Sequence, residues 1–125
     1  MNVLSITGNL AKDIEMRRTT SGISVVTSTI AVQRAFKGPD GEKQTDFIDF
    51  VAWDKKAEYL STYAKKGDRL EITGRLESRK YKDRDGNDRT AWECIVENIV
   101  SFSKEPKEKA KEEQKHERDY DLLPF

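Results

Sequence analysis

From Ser24 to Trp53 the side chains change character at every second residue, and that period rules out a helix before anything else is considered. Val26, Ile30 and Val32 alternate with Val25, Thr27, Thr29 and Ala31 between Ser24 and Arg34, a β-branched run that fits a pleated surface. It stops at Gly38-Pro39-Asp40-Gly41, where Pro presets φ and Gly accepts positive φ. The chain then returns from Thr45 to Trp53, so a β-hairpin is implied. On the returning strand Ile48, Phe50 and Ala52 form one face, expected in the core, while Phe47, Asp49, Val51 and Trp53 form the other.

The same reading extends along the chain. Val3 to Thr7 predicts a short strand stopped by Gly8-Asn9. Asp54 is the expected N-cap of a helix carrying Ala57, Tyr59, Leu60, Tyr63 and Ala64, ended by Lys65-Lys66-Gly67. Leu70, Ile72, Gly74 and Leu76 then alternate with Arg69, Glu71, Thr73 and Arg75, and Gly74 within a strand predicts a sharp bend. Asp83 to Asp88 is a second hairpin tip, leading to a last strand from Arg89 to about Val100. There is no internal repeat. Strands, one helix and more strands predict an all-β domain of five strands in a Greek-key barrel, with the helix plugging one end.

Beyond Phe102 the composition changes abruptly. Residues 103–118 hold almost nothing except Lys, Glu, Gln and a few breakers, so the core must come from the first hundred residues. Residues 1–102 are therefore expected to form the domain and 103–118 a charged flexible, disordered linker. Lys and Arg number 17 against 16 Asp and Glu through Phe102, then 6 against 7. Net charge thus does not announce a polybasic binder, and only the local placement of cations bears on phosphate binding. One cysteine excludes an internal disulfide framework. One histidine, His116 in the linker, leaves no Cys/His metal cluster, so no metal or cofactor is expected. No segment has the form of a signal peptide or reaches membrane length, which predicts a soluble cytoplasmic protein without a membrane partner.

Four rings are not required by the core pattern, and each has basic neighbours. Phe36 lies between Arg34 and Lys37; Phe47 and Trp53 share the outer face of one strand, with Lys55 and Lys56 following; Tyr81 lies among Arg79, Lys80 and Lys82. Unstacked bases offer π faces to rings, and a sugar-phosphate chain offers charge to Lys and Arg, so single-stranded nucleic acid fits this pattern. Duplex recognition lacks a helix with a basic face. For any one ring the competing reading is half-buried packing or an oligomer contact. Catalysis is argued against: there is no Gly-rich phosphate loop and no nucleophile with a base, and alternation sets Asp46 and Asp49 on opposite faces. Cys94 alternates with Trp92 and Val96 and is expected to be buried, while Trp92 is open between core and subunit contact.

The chain ends Asp119-Tyr120-Asp121-Leu122-Leu123-Pro124-Phe125, its most hydrophobic tetrapeptide carried on a solvated tether. Asp119, Asp121, Leu122, Leu123, Pro124 and Phe125 are read as a tip offered to another protein, with Phe125 as anchor. An acidic tip on a chain with a basic groove also suggests that the tip occupies the groove when nucleic acid is absent.

Asn2-Val3, Gly8-Asn9-Leu10 with Asp13, Phe47-Ile48-Asp49-Phe50-Val51-Ala52-Trp53, Ala57-Glu58, Lys66-Gly67, Gly74-Arg75-Leu76 and the Pro124-Phe125 ending together resemble the bacterial and phage single-stranded DNA-binding proteins. The likeness covers nearly the whole chain. It implies an OB-fold, a homotetramer, nucleoid-associated binding of single-stranded DNA without sequence preference, and recruitment of replication and repair proteins by the tip. By the same resemblance the stacking rings are Phe36, Phe47, Trp53 and Tyr81, and the phosphate contacts Arg17, Arg34, Lys55, Lys66, Arg79 and Lys80. Tyr120 and Leu122 stand where the family usually carries acids, and the linker is short and charged, which bears on which partners bind and at what reach. A protein-interaction adaptor and an RNA-binding module on the same fold are the alternative readings.

Overall fold

The computed structural model describes residues 1–102; the linker 103–118 and the tip 119–125 lie outside the described residues. Along the chain come β1 (Leu4–Leu10), β2 (Met16–Arg18), β3 (Ser24–Lys37), β4 (Lys43–Trp53), α1 (Lys55–Tyr63), β5 (Arg69–Lys82) and β6 (Asp88–Ser101).

The predicted hairpin is β3–β4, in antiparallel register from Val25↔Trp53 to Gln33↔Thr45, with a register shift between Gln33 and Lys37. Its turn places Gly41 at φ 79°, the positive φ for which the sequence supplies a residue without Cβ. β5 and β6 form the second hairpin, from Leu70↔Ser101 to Lys82↔Asp88. β1 closes the ring. It pairs with β5 from Leu4↔Gly74 to Asn9↔Arg69, and its last residues Asn9 and Leu10 pair with Ala31 and Ile30 of β3. A short parallel pairing, Phe50↔Cys94 and Val51↔Ile95, joins β4 to β6. Five strands thus close a barrel, and β2 adds to the outside of β3.

Alternation sends Val26, Ile30, Phe50, Ala52, Leu70, Ile72, Cys94 and Val96 inward, where they meet Leu10 and the α1 residues Ala57 and Leu60, with Ala64 just beyond. Ile48 packs against this cluster, as the strand pattern predicts. Val51 is buried on the opposite face, flanked by Thr27 of β3 and Ile95 of β6. Full burial of a side chain such as Leu60 or Phe50 contributes about 1.5–3 kcal/mol, so the dozen core residues carry the domain. Gly74 bends β5 as expected: a Cβ there would meet the Ile95 carbonyl oxygen, and the register with β6 slips between Thr73 and Gly74.

Three local expectations are corrected. Gly8-Asn9 does not stop the first strand, which continues to Leu10; Gly8 lies against the Ala31 carbonyl with no room for a Cβ, and this close approach lets β1 cross from β5 onto β3. Asp54 occupies the N-cap position and its carbonyl accepts from Glu58 N–H at 3.1 Å, but its side chain caps nothing and its backbone sits at φ 58°, ψ −123°. The helix ends at Tyr63, so Lys65, Lys66 and Gly67 belong to the turn into β5, where Gly67 N–H donates to the Leu10 carbonyl at 2.8 Å.

Past the barrel the two hairpins continue as ribbons. Gln33 to Lys37 are exposed on β3, as is every β5 residue from Arg75 to Lys82. Both faces of each ribbon meet solvent, and the predicted site residues concentrate there.

Candidate nucleic-acid interface

Phe36, Phe47, Trp53 and Tyr81 are 86, 68, 43 and 44% exposed, so none of these rings serves the core. Phe47 and Trp53 share the outer face of β4, six residues and hence ~20 Å apart along the strand. Phe36 stands near the end of β3, where the register with β4 shifts. Tyr81 stands on the outer face of the β5–β6 ribbon, and the Arg79 guanidinium carbon lies 5.5 Å from its ring centroid. One side of that ring is therefore already attended by a cation.

The cations divide into two groups. Arg34 donates from Nε and Nη2 to the two carboxylate oxygens of Asp46 at 3.0 and 2.9 Å, and from Nη1 to Gln44 Oε1 at 2.8 Å. Hydrogen bonding to Arg34 holds the Asp46 carboxyl below the usual range, and the same bond raises Arg34. Arg79 pairs with Glu93 at 3.5 Å. Among the described residues Arg17, Lys37, Lys55, Lys66, Lys80 and Lys82 make no ion pair and remain available to phosphate.

The structure brings some of these residues together and separates others. Arg17, carried on β2, and Lys66 line one recess of about 400 Å³ with Lys12, Asp13 and Glu15. Pattern reading missed Lys12, because the stretch before β2 has no period that marks its position. Arg34 borders a polar recess of about 600 Å³ with Thr7, Asn9, Gln33, Thr45 and Arg69. Asn9 and Arg69 come to it through the closure of β1 onto β3 and β5. Lys55 lies elsewhere, beside Lys56, Tyr59 and Asn98 where α1 meets β6. Lys37 ends β3, and Lys80 and Lys82 lie on the β5–β6 ribbon. The tip residues Asp119, Asp121, Leu122, Leu123, Pro124 and Phe125 lie outside the described residues.

Cys94 is buried in the barrel, and burial, with a smaller contribution from the Glu97 charge, pushes its thiol pKa up, the opposite of what a nucleophile needs. No group of three or more His, Cys, Asp or Glu among the described residues is placed to hold a metal ion. None of their helices is long and apolar enough to cross a membrane.

A sequence model described as "Single-strand binding protein family" matches residues 1–102, the whole of the barrel with its helix and both ribbons. The chain belongs to the single-strand binding protein family. A relative in Streptococcus pyogenes serotype M18, single-stranded DNA-binding protein 1, is 40% identical over 104 residues, covering 83% of this chain and 80% of its own. The single-stranded DNA-binding protein of Streptococcus pneumoniae serotype 4 is 39% identical over 99 residues, 79% of this chain and 64% of its own. The chain thus spans less than two thirds of the second relative. These relatives are named for binding rather than for a reaction. Among solved structures, the Plasmodium falciparum SSB in complex with ssDNA superposes with a TM-score of 0.74 over 82% of this chain and 95% of that one, at 18% identity. At that identity the likeness shows the fold, and the barrel of this family member is the OB-fold.

Proposed function

We propose that this single-strand binding protein family member binds single-stranded DNA without sequence preference by stacking bases on Phe36, Phe47, Trp53 and Tyr81. In this reading Arg17, Lys37, Lys55, Lys66, Lys80 and Lys82 contact the sugar-phosphate chain, while Arg34 and Arg79 stay paired with Asp46 and Glu93 beside the strand and add no net charge to it. The observation that carries the reading is four rings left on the surface of a barrel whose core is complete without them. A ring accepts any base on its face, and each stacked base is worth about 1–3 kcal/mol. The names of the relatives support the same ligand.

The chain is then a protein that covers and protects single strands during replication, recombination and repair, assembled as a homotetramer and working in the cytoplasm on the nucleoid. Residues 103–118 act as the tether, and Asp119 to Phe125 recruit replication and repair enzymes. What supports this part is the sequence of the tip and the family resemblance.

The test replaces Trp53 by Ala and titrates a dT oligonucleotide by filter binding at two salt concentrations. Affinity should fall roughly fivefold or more, with the melting temperature nearly unchanged, since Trp53 is not a core residue. Unaltered affinity removes Trp53 from the site. Absence of salt-dependent retention in the unsubstituted protein favours the adaptor reading, and equal competition by RNA of the same sequence favours the RNA-binding one.

A further inference from the structure

Of the two exposed rings to which the preceding reading gives no role, Phe102 follows the end of β6 and Trp92 stands on the β5–β6 ribbon. Trp92 lies on β6 and is 59% exposed, which excludes the core placement that its alternation with buried Cys94 and Val96 left open. The register explains why. Leu76↔Cys94 is the last inward pair of the β5–β6 hairpin that is half inside the barrel; the next pair on that face, Ser78↔Trp92, is already on the ribbon. The inward face continues beyond the core as an open surface. On it lie Ser78 opposite Trp92, then Lys80↔Thr90 and Lys82↔Asp88. Lys80 is thus the diagonal cross-strand neighbour of Trp92, close enough for a long side chain to reach the ring.

The other face of the ribbon is different in kind. Arg79 leans over Tyr81 and pairs with Glu93, and Arg75 pairs with Glu77 and Glu97, so its arginines are neutralised by carboxylates. Lys80 and Lys82 have no ion pair among the described residues. An exposed indole with one unpaired ammonium group diagonal to it and a second farther along the same face complements an aromatic anion, and a base on its phosphate chain has that chemistry.

We infer that Trp92, with Lys80 and Lys82, forms a further base-stacking platform for single-stranded DNA on the face of the β5–β6 ribbon opposite Tyr81. The inference rests on the single-strand reading and adds a site to it. A DNA strand that follows the ribbon edge then meets one ring on each face, and the ribbon is gripped from both sides.

The chain has two tryptophans, Trp53 and Trp92, so each can be isolated as the sole indole reporter. In full-length Trp53→Phe protein, whose only indole is Trp92, titration with dT oligonucleotide should quench the emission and shield it from acrylamide. Trp92→Leu should weaken binding about fivefold or more, and Trp92→Phe, which keeps a ring, should stay within about twofold of the parent. Quenching of Trp53 in the Trp92→Phe protein without quenching of Trp92 in the Trp53→Phe protein overturns this inference while leaving single-strand binding intact. A Trp92→Leu protein with unchanged affinity and reduced mass by light scattering also overturns it, making Trp92 a subunit contact. If neither reporter responds and neither binds, the single-strand reading fails as well.

Discussion

Arg34 spends three of its five N–H donors on Asp46 and Gln44, in the fork geometry that suits a carboxylate. The pair is exposed on both sides, where solvent screens the attraction and such contacts add little to stability, so its significance is the charge it cancels. With Asp46 attached, Arg34 presents almost no net charge to a passing phosphate. Asp46→Asn removes the cancelling charge and leaves an oxygen for the guanidinium. Binding to a dT strand at low salt should tighten, and the slope of log Kobs against log[salt] should steepen by about 0.7 for the one added phosphate contact. Arg34→Met in the unsubstituted background should leave that slope unchanged. A slope flattened by about 0.7 in Arg34→Met shows instead that the guanidinium abandons Asp46 for DNA. The sequence marks Arg34 as basic and next to Phe36, but its partnership depends on which residue of the returning strand stands opposite. That register is set by the irregular pairing between Gln33 and Lys37, which periodicity does not reveal.

At the level of elements, the strands with long alternation were legible, and the short or purpose-built segments were not. β3, β4, β5 and β6 follow their period, whereas three-residue β2 is too short to show one. Gly8 has the form of a breaker and serves instead as a close-approach residue inside β1. Asp54 has the composition of a cap and is a tight junction between β4 and α1: its N–H donates to the Ser24 carbonyl at 2.8 Å while its carbonyl starts the helix. Both bonds require the chain to turn at one residue, and the turn is made at φ 58°, ψ −123°, a conformation that disfavours any residue with a Cβ. Such backbone strain costs about 1–3 kcal/mol, against about 0.5–1 kcal/mol of extra unfolded-state entropy for Gly, and no side-chain cap bond is lost. Asp54→Gly should therefore raise stability by about 1 kcal/mol, a gain of roughly 4–8 °C in melting temperature for a domain of this size. Thermal unfolding followed by circular dichroism measures it. A lower melting temperature shows that the Asp54 side chain contributes more than its geometry reveals.

For the whole molecule, what the period of a strand cannot supply is the long-range wiring: β1 onto both β5 and β3, and β4 parallel to β6. These pairings join segments up to about seventy residues apart, and no local signal specifies them; the family resemblance did. Yet the wiring decides how charge is displayed. A chain with 23 cations and 23 anions has no net attraction for a polyanion, so affinity must come from sorting the charges in space. In the described domain, carboxylates neutralise Arg34, Arg75, Arg79 and Arg89, leaving Arg17, Lys37, Lys55, Lys66, Lys80 and Lys82 unneutralised among the expected contacts. If these six each displace one counterion from a single strand, log Kobs should fall against log[salt] with a slope of about −4 per protomer, at about −0.7 per phosphate. Stacking is uncharged and should persist as a floor of affinity at high salt. A dT strand long enough to saturate one protomer, titrated across a tenfold range of salt, tests both terms together. A slope near zero removes the sorted cations from the interface, and a vanishing high-salt limit removes the rings.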